Sequence, residues 1–501
     1  MSLRVLFAAS EAVGFAKTGG LADVAGSLPV ALARRGVATS LVLPLYRSAR
    51  RANVLPTGLS ATIPVGQQQL PAHLWKADLA DGATAYLIEN DQYFGRDDAS
   101  QGRGPYQYTL PDGSKRDYED NCERFVFFNR AIVEFLPHLG GWPDIVHVND
   151  WQTGLVPVYL RELYAAREPR YGQIGTLITI HNIAFQGVYW HHDLPLTGLP
   201  WSLFTYDKLE YYGAISFLKA GIVYSDLITT VSPNYAREIQ TPDYGRGLQS
   251  TLFPRRDRIF GIVNGVDYRH WDPRQDTHLP TSYGPDDLSG KAICKQALKR
   301  ELGLAEGEAM LLGVVARLTE QKGIDLIVAI APSLLERGMQ LAILGEGDAP
   351  YHRALEQLKQ RYPDRLGLYL GFHEGLAHRI EAGADAFLMP SAFEPSGLNQ
   401  LYSLRYGTPP IVRRTGGLAD TVTDTNEQTL REGTATGFSF TRYAAEELWA
   451  TVERAERLWR TAPEVWRQVQ ITGMKQDWSW DRSAADYEKL YRRLMQQRKR
   501  L

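Results

Sequence analysis

Lys17-Thr-Gly-Gly-Leu-Ala-Asp23 and Arg414-Thr-Gly-Gly-Leu-Ala-Asp420 carry the same six residues behind a basic one. Each follows an apolar run, Leu3–Phe7 or Pro410–Val412, and opens a helical pattern. Paired glycines at a helix start let backbone N–H groups converge on an anion, and the helix dipole adds to the attraction. The pair reads as two anion-holding turns around one phosphate-bearing ligand. The plain alternative is two places where a helix packs closely on a strand. Arg317 and Lys322, in Arg317-Leu-Thr-Glu-Gln-Lys322-Gly323, set two cations at the end of another apolar run, as neutralising a diphosphate requires. Phe393-Glu394-Pro395-Ser396-Gly397-Leu398 follows the run Ala386–Met389 and begins a long helical pattern. A carboxylate, a small residue and a glycine there can hold sugar hydroxyls and phosphate oxygens together, with Thr415-Gly416-Gly417 at the next strand end. His181-Asn182 and Asp150-Trp151 close two further runs at the same level. Against these stand a solvated Arg/Lys pair, an acid complementing a helix dipole, and a histidine satisfied in the core.

Other chemistries find less support. Gly345-Glu-Gly347-Asp-Ala-Pro350 is half a dinucleotide fingerprint, with Pro350 where the third glycine belongs. His147, His181, His191 and His192 show no metal-ligand spacing, and no Asp-x-Asp triplet occurs, so no metal is expected. Cys122 and Cys294 are the two cysteines, too few for a disulfide framework or a cysteine zinc site. A net charge of −2 gives no electrostatic case for nucleic acid or an anionic membrane surface. The basic residues Arg492, Arg493, Arg498, Lys499 and Arg500 end a helical pattern, where the helix dipole favours them. With no leader-like start and no apolar run of 18 residues, the chain reads as soluble and cytoplasmic.

The elements that must position these groups alternate along the 501 residues. Short, continuous apolar runs alternate with helical patterns, which argues for parallel sheets covered on both faces. One series runs from Val5–Ala9 to Leu227–Val231, and a second begins at Ile259–Val263 and ends at Pro410–Val412. The spacing predicts two doubly wound domains with ligands at the strand C-termini, one of residues 1–258 and one of 259–478. The helical tail 479–501 is long enough to return to the first. Aromatics crowd the turns of the first half, among them Tyr93, Tyr106, Trp151, Phe185, Tyr189, Trp190, Tyr211 and Tyr212. Such rings suit sugars, although core packing accounts for most of them.

Taken together, Lys17–Val24, His181-Asn-Ile-Ala-Phe-Gln-Gly187 and Glu394-Pro-Ser-Gly-Leu-Asn-Gln400 resemble the bacterial glycogen synthases, ADP-glucose-using relatives of plant starch synthases. Phe217–Gly221, Thr230–Pro233, Asn264-Gly-Val-Asp267, Arg317–Gly323 and Arg405–Asp420 match in family order. The resemblance implies an α/β GT-B fold, two Rossmann-like domains facing across a deep cleft, and a retaining glucosyltransferase. It implies that Arg317 and Lys322 hold the ADP diphosphate, that Lys17 and Gly20 reach it from the other lobe on closure, and that Asp23 is among the substrate-binding residues. Glu394, Ser396, Gly397 and Leu398 would line glucose and phosphate, with Thr415, Gly416 and Gly417 completing the cradle. His181 would sit by the glucose, its carbonyl facing the anomeric carbon, with Tyr93, Asp150 and Asn182 among the substrate-binding residues. Two departures stand out. Ser396 occupies a position where relatives commonly have Cys, and Phe372 one where many have the Tyr that stacks on adenine.

The implied reaction moves glucose from ADP-glucose to the 4-hydroxyl of a glycogen or α-1,4-glucan end, with no resident cofactor. Double displacement needs a second carboxyl group beside the nucleophile, and the sequence identifies none. A front-face route fits better, the departing phosphate taking the acceptor's proton while the cations stabilise its charge. Lobe closure would keep water out. The rivals are a UDP-glucose-using GT-B transferase, a pyridoxal-dependent phosphorylase and an idle glucan-binding homologue.

Overall fold

A computed structural model describes residues 2–110 and 113–498. The chain divides into two compact units, one of Met1–Val231, Ala236–Gly265 and Trp480–Leu501, the other of Ser232–Tyr235 and Val266–Ser479.

The first unit is built on a nine-stranded sheet. Its strands are β1 (Arg4–Ala8), β2 (Ala38–Pro44), β3 (Leu55–Val65), β4 (Gln68–Asp78), β5 (Thr84–Glu89), β6 (Ile145–Asn149), β7 (Gly175–Ile180), β8 (Leu227–Thr230) and β9 (Ile259–Gly261). They lie in the order β9-β8-β7-β6-β1-β2-β5-β4-β3. From β9 to β5 every pairing is parallel, and the hairpin β3–β4 extends the sheet antiparallel. The parallel strands are continuous apolar runs because helices cover both faces. The hairpin was not legible: β3 carries two prolines and a glycine, while in β4 Leu70, Ala72 and Leu74 alternate inward as one-faced strands do. Strand order reverses between β1 and β6, which opens a crevice at their carboxyl ends. Helix α1 (Gly20–Arg34) follows β1 and buries Leu21, Val24, Leu28 and Leu32.

The second unit holds a six-stranded, all-parallel sheet of β10 (Leu311–Val315), β11 (Gln340–Gly345), β12 (Leu366–Leu370), β13 (Ala386–Met389), β14 (Pro410–Arg413) and β15 (Phe438–Phe440). The order β12-β11-β10-β13-β14-β15 places its reversal between β10 and β13. Two short helices matter for the site, α2 (Asn399–Arg405) after β13 and α3 (Gly416–Thr421) after β14.

Two boundaries differ from the sequence reading. The strand beginning at Ile259 closes the first sheet and does not open the second, because Ile228 and Ile259 pair in parallel register. The units accordingly part at Gly265 and Val266, later than residue 258. The second difference is at residue 396, where a long helix was expected. Gly397 has φ +66, a left-handed turn, and the helix starts only at Asn399. The last helix, α4 (Trp480–Arg498), packs within the first unit: Tyr491 Oη meets His147 Nδ1 at 2.7 Å, and Ser483 donates to the Val263 carbonyl at 2.7 Å. Arg498 pairs with Asp226 at 2.8 Å, so it serves a partner on the fold rather than the dipole alone; Lys499 and Arg500 lie outside the described residues. Among the described residues no helix is long and apolar enough to cross a membrane.

Candidate functional site

In the second unit the sequence-predicted residues converge where β10 and β13 end. Arg317, Lys322, Ser391, Gly397, Leu398 and Asn399 line one pocket there. The loop after β10 turns back through Gly323 (φ +72), and Asn399 donates its amide to the Val315 carbonyl at 2.5 Å, tying the start of α2 to the end of β10. Lys322 and Glu394, 72 residues apart, form an ion pair, and the Ser391 hydroxyl donates to the same carboxylate oxygen at 3.3 Å. Glu394 is buried, while Arg317 reaches Gln321 at 3.4 Å. Phe372, beyond β12, presents its ring to solvent and is 84% exposed.

The second Thr-Gly-Gly turn lies beneath this group. The Gly417 N–H donates to the carbonyls of Glu394 and Pro395 at 3.1 and 3.2 Å, and Thr415 is fully buried. A Cβ on Gly416 would come within 1.9 Å of the Glu394 carbonyl oxygen. A Cβ on Gly417 would likewise come within 2.1 Å of the Ser396 carbonyl oxygen, so this turn packs tightly against Glu394 and Ser396.

In the first unit the groups gather at the other reversal. Asp150 follows β6 with φ +52 and ψ −167, a backbone region that is nearly reserved for glycine and costs a side-chain-bearing residue about 1–3 kcal/mol. Two bonds hold it there: its N–H donates to the Thr179 carbonyl at 2.9 Å, and its Oδ1 accepts the His181 N–H at 2.7 Å. Burial pushes the Asp150 carboxyl up to about 7 and holds the His181 imidazole down at about 3. His181 is therefore neutral at physiological pH. Its Nε2 lies 2.8 Å from Asn149 Oδ1, whose amide nitrogen donates to the Ala8 carbonyl, so Nε2 carries the ring proton. Asn182 closes its own turn, accepting the Ala184 N–H at 3.0 Å.

Lys17 pairs with Asp23 at 2.7 Å. Gly20 begins α1, and a Cβ added to it would meet nothing within 4 Å, the opposite of Gly416. Tyr93 is corrected. It has no exposed surface, its hydroxyl bonds Glu123, and its ring packs edge-on against Phe127, so it supports the core and offers a sugar no face. Glu11 went unnoticed in the sequence. It stands three residues past β1 and accepts both the N–H and the hydroxyl of Thr18, at 2.5 and 2.7 Å. Its signal was the one used for Asp150, a carboxylate just beyond a strand's carboxyl end, without a recognisable motif around it. Among the described residues no group of three or more His, Cys, Asp or Glu side chains is placed to hold a metal ion.

Asp150 sets a pH dependence. Folded Asp150 keeps its proton up to about pH 7, whereas an unfolded aspartate releases it near the ordinary value of 3.8. Folding takes up a proton in that window, so stability from this group falls as pH rises through it. Asn tolerates the positive φ nearly as well and carries no charge. Asp150→Asn is expected to gain stability relative to the parent chain from pH 4.5 to pH 8. Urea midpoints measured at both values check this, and an unchanged difference contradicts it.

Each unit thus carries a polar group at the reversal of its sheet, one a cation–carboxylate pair and the other a strained acid beside a neutral histidine. Residues 4–253 match the starch synthase catalytic domain family and residues 295–468 match glycosyl transferases group 1. The chain is 47% identical to the glycogen synthase of Anaeromyxobacter sp. (strain Fw109-5), covering 98% of this chain and 99% of that one. It is 44% identical to that of Syntrophotalea carbinolica, covering 99% of each. The catalytic domain of starch synthase IV from Arabidopsis thaliana, solved with ADP and acarbose, superposes with a TM-score of 0.88 at 32% identity, covering 99% of this chain and all of that one. Sucrose-phosphate synthase from Thermosynechococcus elongatus shares the fold, with a TM-score of 0.59 at 17% identity. The chain belongs to the glycogen synthase family, glucosyltransferases of GT-B fold.

Proposed function

We propose that this enzyme transfers glucose from ADP-glucose to the 4-hydroxyl at the non-reducing end of an α-1,4-glucan, with retention, releasing ADP. The observation that carries the reading is the Lys322–Glu394 pair, whose lysine lines the same pocket as Arg317. A lysine held by a carboxylate at a sheet reversal is a cation that an arriving diphosphate can take over, leaving the carboxylate to the sugar. The starch synthase that binds ADP and acarbose is consistent with a nucleotide donor and a glucan acceptor.

In this reading Arg317 and Lys322 stabilise the leaving diphosphate, and Ser396, Gly397 and Leu398 border the sugar-phosphate. Phe372 stacks on adenine. Glu394 binds glucose hydroxyls and offsets the positive charge that grows on the ring as the bond to phosphate breaks. The departing phosphate oxygen accepts the proton of the incoming 4-hydroxyl on the same face, so configuration is retained. Neutral His181 suits a role that turns on its carbonyl rather than on proton transfer. The first unit supplies the acceptor side through Asp150 and Asn182, and Lys17 and Gly20 add donors for the diphosphate, with Asp23 holding Lys17 until then. The enzyme requires no resident metal and acts in the cytoplasm.

The test is nucleotide release from ADP-glucose and from UDP-glucose, each with and without glycogen. Release from ADP-glucose that depends on glycogen supports the reading, and equal or faster release from UDP-glucose overturns the donor assignment. Lys322→Ala is expected to lower kcat/KM for ADP-glucose about 100-fold, because a buried charge-assisted contact to the leaving group is lost. Unchanged transfer would remove Lys322 from the leaving-group role.

A further inference from the structure

The two identical Thr-Gly-Gly turns are held by different means. Main chain grips the second, through the carbonyls of Glu394 and Pro395. The first has no such grip: a Cβ at Gly20 would meet nothing within 4 Å, and one at Gly19 only Glu11 Oε1 at 3.9 Å. Gly19 is also the N-cap of α1 and has no side chain to cap it. The fixing contact comes from Glu11, which is 3% exposed and takes both the N–H and the hydroxyl of Thr18 on a single oxygen, Oε2.

A Ser or Asp within the turn would cap the helix locally, but it would also put a side chain where a ligand approaches the glycines. Glu11 reaches the turn from the strand end instead, and leaves the outer side of Gly19 and Gly20 bare. A carboxyl group there also lies near the positive end of α1. We propose that Glu11 is a positioning residue for glucosyl transfer: by fixing Thr18 it sets the direction of Lys17 and of the glycine N–H groups, without touching the donor. This rests on the assignment of Lys17 and Gly20 to the diphosphate made above. Burial pushes the Glu11 carboxyl up to about 7. Oε2 serves as an acceptor in either protonation state, which makes Gln a close replacement.

The experiment measures kcat and KM with ADP-glucose and a short maltooligosaccharide for Glu11→Ala, Glu11→Gln, Thr18→Ala, Lys17→Ala and the double variant Glu11→Ala/Lys17→Ala. Loss of a pair of buried hydrogen bonds to Thr18 predicts that Glu11→Ala lowers kcat about tenfold or more, with KM changed less than about threefold. Glu11→Gln is expected to recover most of that loss. In the Lys17→Ala background, Glu11→Ala should add less than about threefold, since both act through one turn. A Glu11→Ala enzyme within twofold of the parent overturns the proposal, as does Gln no better than Ala, or full additivity with Lys17→Ala. Thr18→Ala leaves Glu11 in place and removes one bond. If Glu11→Ala fails to fold, a kcat for Thr18→Ala equal to the parent's overturns the proposal. A Lys17→Ala enzyme with parental activity defeats the Lys17 assignment instead, and the Glu11 and Thr18 variants still decide for or against Glu11.

Discussion

Glu394→Ala is expected to lower kcat by about three orders of magnitude, the scale seen when a preorganised electrostatic partner of the transition state is removed. The loss falls on kcat because the carboxylate answers a charge that exists only while the glycosidic bond to phosphate is breaking. ADP binding should be kept or tightened. In the free enzyme Glu394 holds Lys322, and removing it leaves that lysine unpaired and available to phosphate. Glu394→Gln separates the two effects: it can still accept from Lys322 and Ser391 but carries no charge, and should fall between Ala and the parent. Turnover by ADP release, with ADP affinity measured by calorimetry, checks both signs. Full activity in Glu394→Ala, or a lost ADP site, contradicts the assignment.

Gly416→Ala is expected to cost about 100-fold in turnover and about 3 kcal/mol in stability, whereas Gly20→Ala should fold as stably as the parent to within about 1 kcal/mol. The two glycines stand in copies of one hexapeptide, Gly416 as its second residue and Gly20 as its third, and their surroundings differ. At Gly416, φ is +44, and the added carbon would overlap the Glu394 carbonyl oxygen, so the carboxylate's own backbone must move. A displacement near 1 Å at a reacting group is worth about 10²-fold in rate. At Gly20 the space is empty, so any effect of Ala must come from what binds there. Urea unfolding and kcat for the two variants make the comparison, and equal damage from both contradicts it.

Strand runs, their helical spacers and the residues just past each strand were readable, because parallel strands buried on both faces are apolar throughout and ligand groups cluster at their carboxyl ends. Arg317, Lys322, Glu394, His181 and Asp150 all lie just past strand ends, where that rule looks. The Leu55–Asp78 hairpin was missed because its edge strand lacks the pattern of a buried one. Tyr93 was misassigned because residue type does not report which face of a short helix turns inward.

By itself the sequence determined the two doubly wound sheets, the family and the set of polar residues at the strand ends, since each follows from local periodicity and from motifs read in order. Tertiary structure alone decided which of those residues meet. Lys322 and Glu394 are 72 positions apart and touch only because β10 and β13 are neighbours in the sheet. Asp150 is held in a strained backbone by bonds to Thr179 and His181, and His181 is neutral because it is buried, and no motif records either. The repeated hexapeptide makes the distinction sharpest. One copy is packed under a carboxylate and the other stands open above Glu11, and six identical residues acquire two environments from what the fold places beside them.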